Sequence, residues 1–255
     1  MVYTEHPMPP ALRLLAPSAW TLAPAEDGRA WIEHEATPDG CIEIVRRHQG
    51  RSTWRTEQPE LFATGLGDAP IRFGFSGDAA FTAVKLWPWT WEALGGLPCP
   101  QFLDRLIPVA PDHPIAALLG GDAPTVADRA AAAFARVEPP LLAGAILAAR
   151  SVAELCSASG LPPRRLQRWF SRHVGLSPRT YLRVIRFQDS LRALAGSANL
   201  ADHAAEHGYA DQAHLAREFR QFAGAPPSAA RKRAQGPFLE PLSASSGLSH
   251  PADRG

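Results

Sequence analysis

Hydrophobic and polar positions follow two different periods along this chain. Over residues 29–48 apolar and polar side chains alternate on either side of Pro38-Asp39-Gly40, which predicts two strands around a turn. Shorter segments near 60–64, 70–76 and 80–87 are strand-like too, and Gly and Pro separate them. Residues 1–20 are Pro-rich and expected to be extended. From Gln101 the spacing becomes helical. It runs through Phe102, Leu103, Leu106 and Ile107, then Ile115 to Leu119, then Val126 to Val137, with Pro108, Pro111 and Pro114 as interruptions. Pro139-Pro140 marks a boundary, and from there to Arg233 the pattern is helical. The expected division is a β-rich part over 1–138, a helical part over 139–235, and a disordered tail over 236–255, where apolar residues thin out.

The helical part contains a repeat. Val152-Ala-Glu-Leu-Cys-Ser-Ala-Ser-Gly160 resembles Leu200-Ala-Asp-His-Ala-Ala-Glu-His-Gly208 at an offset of 48 residues. Beyond those glycines the offset is 49, pairing Leu166 with Leu215, Arg168 with Arg217, Phe170 with Phe219, Gly175 with Gly224 and Pro178 with Pro227. Each copy reads as helix, Gly-containing turn, helix, the helix-turn-helix pattern. In each second helix a Leu and a Phe four residues apart face a core. The opposite face differs: Arg164, Arg168 and Arg172 recur every four residues, with Arg165, Gln167 and Ser171 beside them. Gln212, Ala213, His214, Arg217 and Arg220 stand at the matching place in the second copy. Such a face suits base edges in the major groove: Arg meets guanine, Gln meets adenine, Ala meets the thymine methyl. Between the copies, Ser177-Pro178 is a helix start with Ser as N-cap and Pro at the first helical position. That helix is expected from Arg179 to about Leu194, with a stripe of Tyr181, Leu182, Ile185, Leu191 and Leu194, long enough to set two recognition helices about one DNA turn (~34 Å) apart.

Charge changes the picture. The 255 residues carry 26 basic and 25 acidic side chains, a net of +1 that points to no charged partner. By segment, residues 1–140 hold 11 basic and 17 acidic groups, whereas 141–235 hold 14 and 6, and 13 of those 14 are Arg. An acidic half joined to a basic half is the asymmetry of nucleic-acid partners. GC-rich coding accounts for Arg over Lys, but not for the change of sign.

These residues resemble the DNA-binding domain of AraC/XylS-type transcription regulators over residues 141–233. The carriers are Gly160, Leu166-Gln-Arg-Trp-Phe170, Gly175-Leu-Ser-Pro178, Tyr181-Leu-Arg, Arg186-Phe-Gln, Leu200-Ala-Asp, Gly208-Tyr-Ala-Asp-Gln-Ala-His-Leu215, Arg217-Glu-Phe219, Gly224 and Pro227. The resemblance implies an all-α, seven-helix, double helix-turn-helix domain that binds duplex DNA, with bases read by Arg164, Gln167, Arg168, Gln212, Ala213 and Arg217. It departs from the family at Leu161-Pro162-Pro163, where the family often has a Ser or Thr cap, and at Ala230, where it often has Tyr. Pro38-Asp39-Gly40-Cys41-Ile-Glu-Ile-Val45 and Gly95-Gly96 resemble an N-terminal module of some of these regulators, implying a cupin-like β-barrel with accessory helices. The fold class expected is α+β.

Six of the seven Trp lie in the first half. Trp31, Trp87, Trp89 and Trp91 either line a pocket for an apolar effector or pack the barrel. His34, His48 and His113 lack the His-x-His of a cupin metal site, so neither metal nor cofactor is expected. Cys41, Cys99 and Cys156 are odd in number and far apart, which fits reduced structural thiols in a cytoplasmic protein. Arg231-Lys232-Arg233 is a charge run, read either as a solvated end or as a non-specific DNA contact. No run of 18 apolar residues suits a membrane. The function expected is sequence-specific transcription regulation on DNA, answering to a small-molecule effector, with a homodimer and RNA polymerase as further partners, and not an enzyme. Two alternatives stand: a regulator whose first half only dimerises, and an enzyme domain fused to a DNA reader.

Overall fold

The computed structural model describes residues 2–24, 28–197, 199–235 and 238–239. The Pro-rich start is strand, single turn and strand rather than one extended run: β1 (Val2–Pro7) and β2 (Ser18–Ala23) pair antiparallel from Val2 against Ala23 to Pro7 against Ser18. β3 (Trp31–Ala36) and β4 (Ile42–Gln49) flank Pro38-Asp39-Gly40 as the alternation predicts, but they do not pair with each other. β5 (Ser52–Trp54) and β6 (Thr56–Glu57) follow, short strands without a recognisable pattern. Then come β7 (Leu61–Thr64), β8 (Ile71–Ser76) and β9 (Ala80–Leu86).

After β9, α1 (Pro88–Ala93) leads to β10 (Leu106–Pro108). Here the helical spacing over 102–107 is overturned. Ile107 sits opposite Ala63 on the open edge of β7, whose backbone groups offer a ladder that no local helix supplies. Pro114–Leu119 forms a 3-10 helix and α2 (Ala123–Phe134) follows, its N-cap Asp122 accepting from Thr125 N.

The strands form two antiparallel six-stranded sheets, ordered β1-β2-β9-β4-β7-β10 and, with β11 (Ala234–Gln235) and β12 (Phe238–Leu239), β11-β12-β3-β8-β5-β6. The turn at 37–41 therefore carries the chain from one sheet to the other. Alternation decides what each face buries. Trp20, Leu22, Val45, Phe62, Phe81 and Ala83 from the first sheet meet Ile32 and Phe75 from the second. This is a cupin-like arrangement of two facing sheets that do not close into one barrel. The outer face of the first sheet, with Ala19, Ile42, Ile44, Val84 and Leu86, belongs to a second and larger core.

That larger core runs on past residue 139. It takes in Val126 and Phe134 of α2, then Ile146 of α3 (Ala143–Ala148), Leu155 of α4 (Val152–Ser159), Leu166 and Phe170 of α5 (Pro163–His173), and Tyr181 and Leu182 of α6 (Pro178–Ala193). A separate core holds Val184, Phe187 and Leu191 of α6 with Ala204 of α7 (Leu200–Glu206), Leu215, Phe219 and Phe222 of α8 (Gln212–Ala223), and Ala230 of α9 (Pro227–Arg233). The helices α3 to α9 make seven among the described residues, as the resemblance implies.

The expected tail behaves differently at its start. β11 (Ala234–Gln235) and β12 (Phe238–Leu239) pair with each other, and β12 adds to the edge of β3, Phe238 opposite Ala36. An unpaired strand edge is a template for such an addition. Residues 236, 237 and 240–255, the rest of the expected tail, lie outside the described residues.

Candidate nucleic-acid interface

Each helix-turn-helix is set by local chemistry. In the first, Ser151 caps α4 by accepting from Glu154 N, and Gly160 ends it in the left-handed region at φ 66°. In the second, Asn199 caps α7 by accepting from Ala201 N, and Gly208 turns the chain at φ 72°. The recognition helices differ at their starts. Asp211 caps α8 by accepting from His214 N at 2.6 Å, whereas α5 begins at Pro162-Pro163 with no side-chain cap. Such a cap contributes about 1 kcal/mol, so α5 depends more on packing. It has it, with Leu166 and Phe170 fully buried.

The opposite face of α5 is solvent-facing. Arg164, Arg165, Gln167, Arg168 and Arg172 are all exposed. Gln167 reaches Ser171 at 3.4 Å, and none of the four guanidiniums has an ion pair among the described residues. On α8, Gln212, Ala213, Arg217 and Arg220 are likewise exposed, and neither Arg has an ion pair among the described residues. His214 is different. It is half-buried, its Nδ1 accepts from Ala210 N, and its Nε2 lies 3.6 Å from Glu218 Oε1, so its ring is engaged within the protein.

Other arginines are also engaged. Arg183 Nε and Arg186 Nη2 converge on the buried Glu218 carboxylate, at 2.5 and 3.0 Å, and so bolt α8 to α6. Beside this cluster, the start of α4, α6 and α8 enclose a recess of about 360 Å³ that Arg150, Arg179 and Arg183 make basic.

The linker helix α6 is anchored at both ends. Ser177 accepts from Thr180 N, as its sequence predicts. Of the predicted stripe, Tyr181, Leu182, Leu191 and Leu194 are buried and Ile185 is partly so; Val184 and Phe187 are buried as well. Tyr181 donates its hydroxyl proton to Gly40 O at 2.9 Å, and Gln188 Nε2 donates to Thr37 Oγ1 at 2.8 Å and Pro38 O at 2.7 Å. Gly40 is required twice over. Its φ is +78°, and a Cβ there would stand 2.8 Å from Ile185 Cδ1.

The same turn walls a cavity. Between the two sheets lies a space of about 110 Å³ lined by residues 36–41, by Glu43, and by Trp20, Trp54, Phe62, Phe73 and Phe81. None of Trp31, Trp87, Trp89 and Trp91 lines it. Trp31 lies over Gly74 across the β3–β8 pair. The indole N–H groups of Trp87 and Trp89 donate to Arg13 O and Leu14 O. Trp91 is buried against Phe102 and His113. The lining tryptophans, Trp20 and Trp54, sit on separate strands with no shared motif, and alternation within each strand was their only signal.

Behind the cavity wall, Lys85 is buried and bridges two carboxylates, Asp39 Oδ2 at 2.8 Å and Glu43 Oε1 at 3.2 Å. Burial pushes the Glu43 carboxyl up to about 7, against the pull of Lys85. Burial also pushes the Cys41 thiol well up, so it is no reactive thiolate. No group of three or more His, Cys, Asp or Glu side chains is placed to hold a metal ion, and no helix is long and apolar enough to cross a membrane, among the described residues.

Residues 155–233 match the family described as a helix-turn-helix domain, and residues 4–108 match a family described as a domain of unknown function (DUF6597). No curated protein matches the chain. Among solved structures, ToxT from Vibrio cholerae O395 is similar at 10% identity and a TM-score of 0.44, over 82% of this chain and 94% of that one. The same protein bound to (E)-4-(8-methylnaphthalen-1-yl)but-3-enoic acid is similar at 10% identity and a TM-score of 0.45, over 90% and 98%. The basic half of this chain carries a helix-turn-helix domain, in line with its resemblance to AraC/XylS-type regulators.

Proposed function

We propose that this chain is a sequence-specific transcription regulator that binds duplex DNA through both helix-turn-helix units and a small-molecule effector between its two sheets. The observation that carries the reading is the face of exposed arginines on α5 and α8, without ion pairs among the described residues, set beside other arginines that are tied up inside the protein. Free guanidiniums at equivalent places of two helix-turn-helix units are what major-groove reading requires. In this reading Arg164, Gln167 and Arg168 of α5, and Gln212, Ala213 and Arg217 of α8, meet base edges. Arg165, Arg172 and Arg220 meet phosphates, and His214 braces α8 from within. The domains divide at 138/139, with the first as sensor. The reaction-free cytoplasmic role follows from this assignment.

The test is selection and sequencing of the DNA fragments that the full chain retains. Two recognised segments about one helical turn apart are expected. Arg168→Ala should cost about 1–3 kcal/mol and relax specificity in one segment, and Arg217→Ala should do the same in the other. With roughly six phosphates neutralised, log K should fall with log salt at a slope of about −5. If both variants bind the selected site as the parent does, the assignment fails.

A further inference from the structure

The cavity's lining narrows what it can hold. Its walls are aromatic: Trp20, Trp54, Phe62, Phe73 and Phe81. Besides the Cys41 thiol, its ionisable lining residues are the carboxylates Asp39, Glu43 and Asp104, with no Lys, Arg or His among them. Asp104 is matched by Arg55 at 2.9 Å on the exposed side. At the inner end Lys85 is the one matching cation among the described residues, and it is shared. It bridges Asp39 and Glu43, and a third carboxylate nearby, the exposed Glu5, accepts from the hydroxyls of Tyr3 and Ser18. The inner end therefore carries more negative than positive charge. Burial raises the Glu43 carboxyl, and one shared ammonium does not offset that cost.

Resting on the effector reading above, we propose that the cavity binds a small, single-ring or smaller apolar molecule bearing a positively charged nitrogen, with the cation placed against Glu43 and the apolar body between the aromatic walls. Three features converge on this class. Aromatic faces attract a cation as well as an apolar group. Glu43 gains the second counter-charge that Lys85 leaves wanting. The volume of about 110 Å³ is of the same order as the 150 Å³ of a cavity known to take benzene, which limits the occupant to about one ring. A carboxylate-bearing molecule of the same shape meets the opposite situation, an anion brought up to an end already rich in anions.

The experiment is calorimetric titration of the full chain with benzylamine, benzyl alcohol and benzoate, three molecules sharing one ring and differing in charge. It is run near pH 8, where a primary amine remains protonated and Glu43 is ionised. Benzylamine should bind at least about tenfold more tightly than benzoate, with benzyl alcohol between them. Glu43→Gln keeps the shape and removes the charge. It should erase most of the preference for the amine and leave the alcohol's affinity unchanged. Benzoate binding as tightly as benzylamine, no binding of any of the three at millimolar concentration, or a preference that survives Glu43→Gln would each overturn the proposal. The ranking of the three on the unaltered chain decides the matter even where Glu43→Gln does not fold. Retention of the selected DNA by the same samples is read separately. A chain that favours benzoate and still binds DNA therefore sinks the cationic ligand while leaving the regulator and its sensor standing.

Discussion

The two helix-turn-helix units are copies of one pattern, yet they lean on different things. The residue between the shared Arg and Phe of each recognition helix shows how. In the first unit it is Trp169, whose ring lies 6.2 Å from Trp89 of α1, while His173 one turn on meets Glu92 at 2.9 Å. In the second it is Glu218, buried against Arg183 and Arg186 of the linker helix. One repeat position, filled by an indole or by a carboxylate, decides whether the recognition helix docks on the β-rich half or on the linker. The first unit consequently shares the β-rich half's core, and the second has a core of its own. Duplication kept the core-facing Leu and Phe with the Arg between them, and let the position beside that Arg diverge.

The sharpest way to break this comparison is Glu218→Ala. It leaves two arginines facing an empty buried site and should cost about 3–5 kcal/mol. The loss should be confined to the second unit. Because all seven Trp lie at or before residue 169, tryptophan fluorescence reports only the other region. The expected outcome is an early unfolding step seen by far-UV circular dichroism and silent in fluorescence. A single coincident transition would mean that the two cores unfold as one.

Trp169→Ala tests the other side. The side chain is partly buried, so the cost should be about 2 kcal/mol, below that of a fully buried Trp. Urea unfolding should show the fluorescence-detected transition moving and the second unit's staying in place. A smaller effect, about 1 kcal/mol, is expected of Tyr181→Phe, which keeps the ring in the core and leaves Gly40 O without its donor. Hydrogen exchange should then rise at residues 37–41 and the first half of α6, and not in α7 or α8.

The smallest effect is of pH, and it should have opposite signs in the two regions. His203 of α7 is buried against Ser190 at 2.9 Å; burial, and then the neighbouring His207, lower its pKa below the usual 6.5. The unfolded chain binds that proton first, so the second unit loses stability as pH falls below about 6.5. Glu43 is the reverse. Its folded value near 7 exceeds the ordinary 4.5, so the folded state holds the extra proton, and the β-rich half gains stability as pH falls from about 7 to 4.5. Thermal unfolding at pH 7.5 and 5.5 should therefore draw the fluorescence and dichroism midpoints apart; parallel shifts would contradict the assignment.

Much of the helical half was legible because its signals are local. The left-handed glycines, the Ser177 cap, and Leu and Phe four residues apart each act within a turn or two. Two offsets in the numbering were enough to expose the duplication. The β-rich half was legible only strand by strand. Alternation placed β3, β4, β7, β8 and β9, but which strands pair is settled by residues far apart in sequence. So Pro38-Asp39-Gly40 was foreseen as a turn and not as a passage between sheets. The spacing of Phe102, Leu103, Leu106 and Ile107 fits a helix when read alone, and the vacant edge of β7 overrides it. The three close-set tryptophans are neighbours in sequence, yet the aromatic walls of the cavity come from five different strands. Which residue stands behind a recognition helix is a tertiary matter as well: Trp169 and Glu218 occupy equivalent places, and only the packing shows what each one touches.

Residues 37–40 belong to two surfaces at once. One side of this short backbone closes the space between the sheets, and the other supplies the oxygens from which α6 hangs. If an occupant of that space shifts this backbone, its binding and the setting of the linker are thermodynamically linked, and linkage runs in both directions. Any compound that alters the chain's affinity for DNA through this turn must itself be held more or less tightly, by the same factor, once DNA is bound. The operator would then act as an effector of the pocket, as the pocket acts on the operator.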